Sequence, residues 1–143
     1  MGSGISGLIA VRDALGLPTE IIGVVAEGAP AYARSFEAGQ VVATSHATTF
    51  ADGVACRVPD ALALSIIQRG AARVITVSED AIADAIRACY TDTHQLAEGA
   101  GAIALAGLLQ ERSAHRGTRV GAVLSGGNID RAHFAAILRG DHP

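Results

Sequence analysis

Short, nearly continuous apolar runs alternate with helical patterns along this chain, and this alternation constrains its fold more than any other feature. Two runs, Glu20–Ala26 and Arg73–Val77, have the length and aliphatic content of strands that are buried on both faces. A third run, Arg119–Leu124, has the same character. Because helices separate the runs, we predict an α/β fold, a mostly parallel sheet flanked by helices.

The segments between these runs carry the start and stop signals of helices. Asp60 and Ser78 are suitable N-caps, and Gly16, Gly39 and Gly70 are suitable helix ends. The segment 44–59 is rich in polar residues without periodicity, which predicts a loop. The predicted helices cover about residues 8–15, 31–38, 61–69, 79–90, 99–112 and 131–138.

Two of these helices show an apolar face. In the first helix, Leu8, Val11 and Leu15 share one side. In the helix after Ser78, the apolar residues recur at intervals of three and four positions, which predicts an amphipathic helix. They are Ile82, Ile86, Cys89 and Tyr90.

Length and composition bound the classes of function. A chain of 143 residues is one domain with enough residues for a hydrophobic core. Its net charge of −3 and the lack of a basic run argue against nucleic acid or an anionic membrane as a partner. No apolar run reaches the roughly 18 residues of a membrane span. Two isolated cysteines, Cys56 and Cys89, favour reduced thiols, so we expect a cytoplasmic protein.

A glycine-rich segment stands at the front of the chain, with Gly2, Gly4 and Gly7 just before the helical run that starts at Leu8. Glycines let successive main-chain N–H groups approach one anion, and a helix start adds free N–H groups and a positive dipole end. This pattern predicts a phosphate site. It also matches the dinucleotide fingerprint, and Glu27 stands where a ribose-binding acid is expected. Both interpretations stay open at this point.

Further candidate residues follow the predicted strands, where parallel α/β folds place their sites. They are the Asp52-Gly53 loop, Glu98 in its apolar surroundings and the turn at Ser125. Each also has a purely structural explanation, as a turn, a helix-start acid and a strand-to-helix connection. The five histidines lack metal-ligand spacing, so we predict no metal site from them: His46, His94, His115, His133 and His142.

Taken in order, these segments resemble the pyridoxal-phosphate enzymes of the threonine dehydratase and serine racemase group, which share the fold of the tryptophan synthase β subunit. The resemblance covers nearly the whole chain. It implies the C-terminal part of the large domain of that fold, a single cofactor-binding portion over residues 1–143, and pyridoxal 5′-phosphate as cofactor. The matching segments are 2–7, 25–27, 49–53, 77–80, 98–101 and 124–130.

The resemblance also implies roles for individual residues. Gly53 would lie by the ring edge of the cofactor, Glu98 beside its pocket, and the Ser125 hydroxyl would hydrogen-bond the pyridine nitrogen. The cofactor phosphate would accept hydrogen bonds from main-chain N–H groups of Gly2, Ser3, Gly4 and Ile5.

The reaction implied by the resemblance removes the α-proton and the β-hydroxyl of a hydroxy-amino acid and yields a 2-oxo acid and ammonia. A threonine or serine ammonia-lyase is therefore the leading hypothesis. A related amino-acid racemase, a dehydratase of hydroxyectoine breakdown and a non-catalytic module that binds a phosphate ligand are the alternatives.

Two departures from the family pattern qualify this resemblance. The chain contains no lysine, whereas the Schiff-base lysine of the family belongs to its N-terminal half. We therefore expect this chain to be the C-terminal portion of an enzyme and to be inactive alone. Its expected partner is the missing N-terminal half, and we expect the enzyme to form homo-oligomers. Members that bind a divalent metal use an acid at Glu27, the carbonyl at Ala31 and a carboxylate where Ala33 stands here, so no metal is predicted.

Overall fold

Two parallel strands form the sheet of this computed structural model, which describes residues 1–141. Strand β1 (Ile22–Ala26) pairs with strand β2 (Arg73–Val77) so that Ile22 lies opposite Arg73 and Ala26 opposite Val77. Helices cover both faces of this sheet, and the α/β class predicted from the sequence is therefore confirmed. The helices are α1 (Ser3–Ala14), α2 (Ala31–Ala38), α3 (Ala61–Gly70), α4 (Glu79–Thr93), α5 (Gly99–Gln110) and α6 (Arg131–Arg139).

The two faces of the sheet pack against different helices because side chains alternate along a strand. On one face, Val24 and Ile75 contact α5 at Gly107, where a β-carbon would lie only 2.7 Å from the Val24 side chain. On the other face, Val74 and Gly23 meet Ile5 of α1. A glycine at position 107 is thus what allows α5 to lie directly on the strands.

Several boundaries follow from local signals, as predicted. The Asp60 carboxylate accepts a hydrogen bond from the Ala63 N–H at 2.8 Å, and the Ser78 hydroxyl accepts one from the Ala81 N–H at 3.1 Å. Gly39 ends α2 in the left-handed conformation, with φ of 69°. Residues 44–59 are irregular apart from a short 3₁₀ turn, Asp52–Val54.

The predicted third strand, Arg119–Leu124, is wrong. In the described residues it pairs with no strand, and its side chains are exposed, with Val123 at 53%. A strand needs a neighbour for its N–H and C=O groups, and an apolar run cannot supply that neighbour by itself. The residues of this segment are nevertheless as apolar as those of a buried strand.

Two apolar helix faces also differ from a simple core pattern. Leu8, Val11 and Leu15 do share one side of α1, but that side faces solvent, with Leu15 65% exposed. On α4, the predicted face is buried at Ile82, Ile86 and Cys89, whereas Tyr90 is 45% exposed. Within residues 1–141, no helix combines the length and the apolar character that crossing a bilayer requires.

An ion pair joins the amino end of the sheet to the end of α5. The Arg73 guanidinium donates to both carboxylate oxygens of Glu111, at 2.6 and 3.3 Å, and His115 lies 3.5 Å from the same carboxylate. Hydrogen bonding from Arg73 is the main reason that the pKa of Glu111 is lowered below its ordinary value of 4.5. The pair therefore stabilises the fold only while Glu111 is ionised.

Replacement of Glu111 by Gln tests this ion pair. A carboxylate whose pKa is lowered in the folded state contributes stability above its unfolded pKa and loses that contribution as the pH falls through its folded pKa. Since both side chains are partly exposed, we expect Glu111→Gln to lower the free energy of unfolding by less than about 1 kcal/mol at pH 7. The difference should shrink as the pH falls through the folded-state pKa of Glu111. Urea denaturation over a series of pH values from 7 downward measures it. Glu37→Gln, at an exposed position, is the control, and a loss that does not change with pH would contradict the account.

Candidate functional site

The carboxyl ends of β1 and β2 form the edge at which the predicted site residues are expected. Just past β1, the Glu27 N–H donates to the Val77 carbonyl at 2.9 Å, and the Gly28 carbonyl accepts from the Thr48 N–H at 2.8 Å. The second of these hydrogen bonds holds the irregular segment 44–59 at this edge of the sheet. Gly53 belongs to that segment.

Glu79, in the first turn of α4, fixes the part of this segment that precedes Gly53. One carboxylate oxygen of Glu79 accepts from the Thr49 hydroxyl at 3.0 Å and from the Phe50 N–H at 3.1 Å. The Thr49 hydroxyl oxygen in turn accepts from the Ala51 N–H at 3.1 Å. A single carboxylate thus sets the path of three consecutive residues.

The loop held in this way lies against the start of α5. A β-carbon on Gly53 would lie 2.6 Å from the β-carbon of Ala100, and one on Gly99 would lie 2.9 Å from Ala51 and from the Phe50 ring. Both positions therefore accommodate glycine alone without a shift of the neighbouring atoms. The close approach puts Gly53 beside the amino end of α5.

The turn at Ser125 reaches the same place from the other side. The Glu98 N–H donates to the Gly126 carbonyl at 3.1 Å, and the Glu98 carboxylate lies beside the Gly126 Cα. Among residues 1–141, the exposed Ser125 hydroxyl makes a single long contact of 3.5 Å, to the Ala100 carbonyl. The structure thus brings Gly53, Glu98 and Ser125 around one helix start, and leaves the Ser125 hydroxyl free to bond a ligand.

The glycine-rich segment differs from its prediction because α1 begins at Ser3, not at Leu8. Only Gly2 stays outside the helix, in the left-handed conformation with φ of 86°. The first intrahelical bond runs from the Ser6 N–H to the Gly2 carbonyl at 3.1 Å. Within the described residues, the N–H groups of Ser3, Gly4 and Ile5 therefore have no hydrogen-bond partner, as expected for a helix start.

This helix start lies at the same edge of the sheet as the other predicted residues. Gly2 contacts Tyr32 and Ala63, which stand in the first turns of α2 and α3, the ends of those helices nearest the carboxyl ends of the strands. The Asp60 N–H donates to the Tyr32 hydroxyl at 3.3 Å. Residues 53–60 therefore connect the two groups, with Gly53 at one end and the neighbours of Gly2 at the other.

Glu27 and the histidines complete the set of polar residues considered in the sequence. Glu27 is exposed in a cleft of about 480 Å³ that His46 also lines, and Ala33, where metal-binding relatives need a carboxylate, is buried. His94 ends α4 and His133 is exposed on α6, while His142 lies outside the described residues. In the part of the chain that the structure describes, no three metal-ligating side chains cluster.

Two residues that support the site are not among the site residues predicted from the sequence. Glu79 reads as an ordinary helix-start acid, and Tyr32 as one apolar residue of a short helix. Their partners, Phe50 and Met1, lie 29 and 31 residues away. Contacts at such separations depend on how the helices pack on the sheet, which local patterns do not specify.

Comparison with known proteins identifies the family. The profile described as "Pyridoxal-phosphate dependent enzyme" matches residues 1–126, most of the chain. The chain belongs to this family. This assignment confirms the predicted cofactor class and overturns the dinucleotide alternative that Glu27 had kept open.

Similar curated proteins in this family are ammonia-lyases and a racemase. The chain is 33% identical to L-threonine ammonia-lyase of Thermotoga maritima over 90% of its own length and 32% of that protein's. It is 41% identical to L-threonine ammonia-lyase of Geobacter sulfurreducens, over 82% of the chain and 29% of that protein. Serine racemase of rice is 31% identical, over 90% of the chain and 39% of that protein. The chain thus spans about a third of the length of these relatives.

Solved structures confirm the predicted fold. Threonine deaminase isoform 2 of Solanum lycopersicum superposes with a TM-score of 0.88 at 28% identity, over 94% of this chain and 38% of that one. The likeness therefore covers nearly all of this chain but less than half of the solved one. The α/β unit described above is a part of the fold of these pyridoxal-phosphate enzymes.

The residues present fit the phosphate of such a cofactor. Three N–H groups without partners stand at the positive end of a helix, as anion binding requires. Apart from its chain neighbours and the backbone of its own helix, no described residue has an atom within 4 Å of a β-carbon built on Gly4, so a phosphate can approach the main chain there. The free N–H donors and the open space beside Gly4 therefore both fit a phosphate group.

The clamp made by Glu79 can be tested by substitution. Glu79→Ala removes the acceptor for the Thr49 hydroxyl and the Phe50 N–H, so we expect the free energy of unfolding to fall by about 1–3 kcal/mol. Glu79→Gln keeps an acceptor and should lose less. Urea denaturation measures the stability, and limited proteolysis of residues 49–54 reports the loop.

Asp84→Ala provides the control, because Asp84 lies on the same helix and pairs with Arg87 at the surface. We expect it to cost no more than about 1 kcal/mol and to leave the loop protected. Equal effects of Glu79→Ala and Asp84→Ala on loop cleavage would contradict the clamp.

Proposed function

We propose that this chain is the C-terminal, cofactor-binding part of a pyridoxal-phosphate-dependent threonine or serine ammonia-lyase. The observation that carries the proposal is the set of three unpartnered N–H groups at the start of α1, at the carboxyl edge of the sheet. The family assignment, and the threonine ammonia-lyases among the relatives, support it.

In this proposal, Gly2, Ser3, Gly4 and Ile5 form the phosphate turn. The N–H groups of Ser3, Gly4 and Ile5 donate to the phosphate, and the dipole of α1 favours its negative charge. Gly2, left-handed at φ of 86°, turns the chain into the helix so that these groups face outward. Binding in this way needs no lysine or arginine side chain.

The group around α5 forms the other side of the proposed cofactor site. The exposed Ser125 hydroxyl bonds the pyridine nitrogen, Gly53 leaves room for the ring edge, and the Glu98 carboxylate borders the pocket. When bound, the cofactor supplies the withdrawal of electrons from the α-carbon of the amino acid. A hydroxyl partner leaves the ring nitrogen less firmly protonated than a carboxylate would, which suits elimination of water better than transamination.

The substrate in this proposal is a hydroxy-amino acid. It loses its α-proton and its β-hydroxyl as one water molecule, and a water molecule returns when the product hydrolyses to a 2-oxo acid and ammonia. The chain has no lysine to hold the cofactor covalently. In this proposal that residue comes from the N-terminal half, so we expect the chain to be inactive without that half.

Exposed apolar surface supports a complementary half as a partner. Besides the face of α1 formed by Leu8, Val11 and Leu15, the unpaired segment 119–124 exposes Val123 and Leu124. A parallel strand beside this segment would satisfy its backbone and cover its side chains. We propose that the N-terminal half of the enzyme supplies that cover, in a cytoplasmic homo-oligomer.

An amino-acid racemase is the second candidate, because serine racemase of rice is among the relatives. Both reactions begin with loss of the α-proton and require the same phosphate turn and ring partner. They differ in whether the β-hydroxyl leaves or the proton returns to the other face. The product therefore distinguishes them.

Complementation tests the proposed function. This chain is mixed with pyridoxal 5′-phosphate and an N-terminal segment of the Geobacter sulfurreducens relative that carries the Schiff-base lysine. We expect 2-oxobutyrate to form from L-threonine only when both parts are present, because each part lacks half of the site. A coupled reduction of the 2-oxo acid measures it. D-serine from L-serine, without 2-oxo acid, would support the racemase.

The control is the same segment with its Schiff-base lysine replaced by Ala, which should form the same complex by gel filtration without turnover. Turnover by this chain alone would contradict the need for the lysine-bearing half. A stable complex with the intact segment that forms no product would contradict the proposed activity.

A further inference from the structure

Tyr32 makes contacts at the start of α1 that the family assignment does not explain. Its side chain is 7% exposed, in the first turn of α2. The Tyr32 hydroxyl donates to the Met1 carbonyl at 2.8 Å and accepts from the Asp60 N–H at 3.3 Å. One phenol oxygen therefore ties the residue before Gly2 to the first residues of α2 and α3.

The same oxygen also limits what can stand at position 2. A β-carbon on Gly2 would lie 2.8 Å from the Tyr32 hydroxyl oxygen and 3.0 Å from the Ala63 β-carbon. Tyr32 and Ala63 therefore fill the space on one side of Gly2, while its φ of 86° already disfavours any other residue. The hydrogen bond to the Met1 carbonyl and the contacts at Gly2 therefore fix the direction in which the chain enters α1.

That direction decides where the free N–H groups of Ser3, Gly4 and Ile5 point. The three groups hold a phosphate together only if they converge, and the first helical turn is otherwise free to fray because no side chain caps it. Burial is the main cause that raises the pKa of Tyr32 above its ordinary value. The hydroxyl therefore stays protonated at neutral pH and can donate its hydrogen bond.

We propose that Tyr32 is a positioning residue for the phosphate turn, acting through its hydrogen bond to the Met1 carbonyl and its contact with Gly2. The proposal rests on the proposed function of that turn. It assigns Tyr32 no contact with the cofactor. Its consequence is specific: loss of the hydroxyl should weaken binding of a phosphate group and leave binding of the ring unchanged.

Two ligands that differ only in the phosphate separate these effects. Pyridoxine 5′-phosphate and pyridoxine both lack the aldehyde, so neither reacts with an amine, and the ratio of their affinities measures the contribution of the phosphate. We expect Tyr32→Phe to reduce this ratio about fivefold to tenfold, as removal of one hydrogen bond would. Isothermal titration calorimetry of the full chain gives both affinities.

Tyr90→Phe is the matched control, because Tyr90 is 45% exposed on α4 and packs edge-on against Phe134. It should leave the ratio unchanged. Gly2→Ala provides a second route if Tyr32→Phe does not fold, since it presses a methyl group against the same hydroxyl and should lower the ratio similarly. Gly121→Ala, at a glycine with open space around its β-carbon and outside the phosphate turn, is the control for it.

The outcomes separate the two hypotheses. If the wild-type chain binds both ligands equally, the phosphate turn itself, and with it the proposed function, is contradicted. If the wild-type chain prefers the phosphate form and Tyr32→Phe keeps the full preference, the turn stands and the role of Tyr32 is overturned. Equal weakening of both ligands by Tyr32→Phe would show a general structural effect and would also overturn it.

Discussion

The close approach of α5 to its surroundings is the constraint on which the rest of the structure depends. At Gly107 this helix lies directly on Val24 and Ile75, and at Gly99 it lies against the loop that Glu79 holds. Near its start, Gly101 leaves room for the Gly126 carbonyl. Because α5 has a glycine at each of these three contacts, none of its own side chains separates it from the strands, the Gly53 loop or the Ser125 turn. The loop and the turn are therefore fixed relative to the sheet.

The opposite side of the sheet edge is built differently. There the first N–H groups of α1 are exposed, and the helix start is held by one hydrogen bond together with side-chain packing. The Tyr32 hydroxyl donates to the Met1 carbonyl, Ala63 and Tyr32 lie against Gly2, and Ile5 packs on the sheet. A site assembled from these two parts combines a rigid group of residues for a ring with an open helix start for an anion, which suits a ligand that is part aromatic and part phosphate.

Local signals predicted much of this fold, and the failures share one cause. The Asp60 and Ser78 caps, the glycine ends and both strands depend on residues near one another in sequence, and these predictions are confirmed. The segment Arg119–Leu124 has the composition of a strand but no neighbour in the described chain, and composition cannot reveal that. The predicted start of α1 at Leu8 lies after its observed start at Ser3, because glycines in the first turn are typical of a loop, although the N–H groups of a first helical turn are free in any case. Glu79 and Tyr32 act across about 30 residues, beyond any local pattern.

The central claim is that main-chain N–H groups at the start of α1 and the group around α5 hold one ligand between them. Amide chemical shifts of the uniformly labelled chain, recorded during titration with pyridoxal 5′-phosphate, test it most directly. The account predicts saturable shifts at Ser3, Gly4 and Ile5 together with shifts at Gly53 and Ser125. Shifts confined to the cleft around Glu27 and His46, with none at the start of α1, would contradict it.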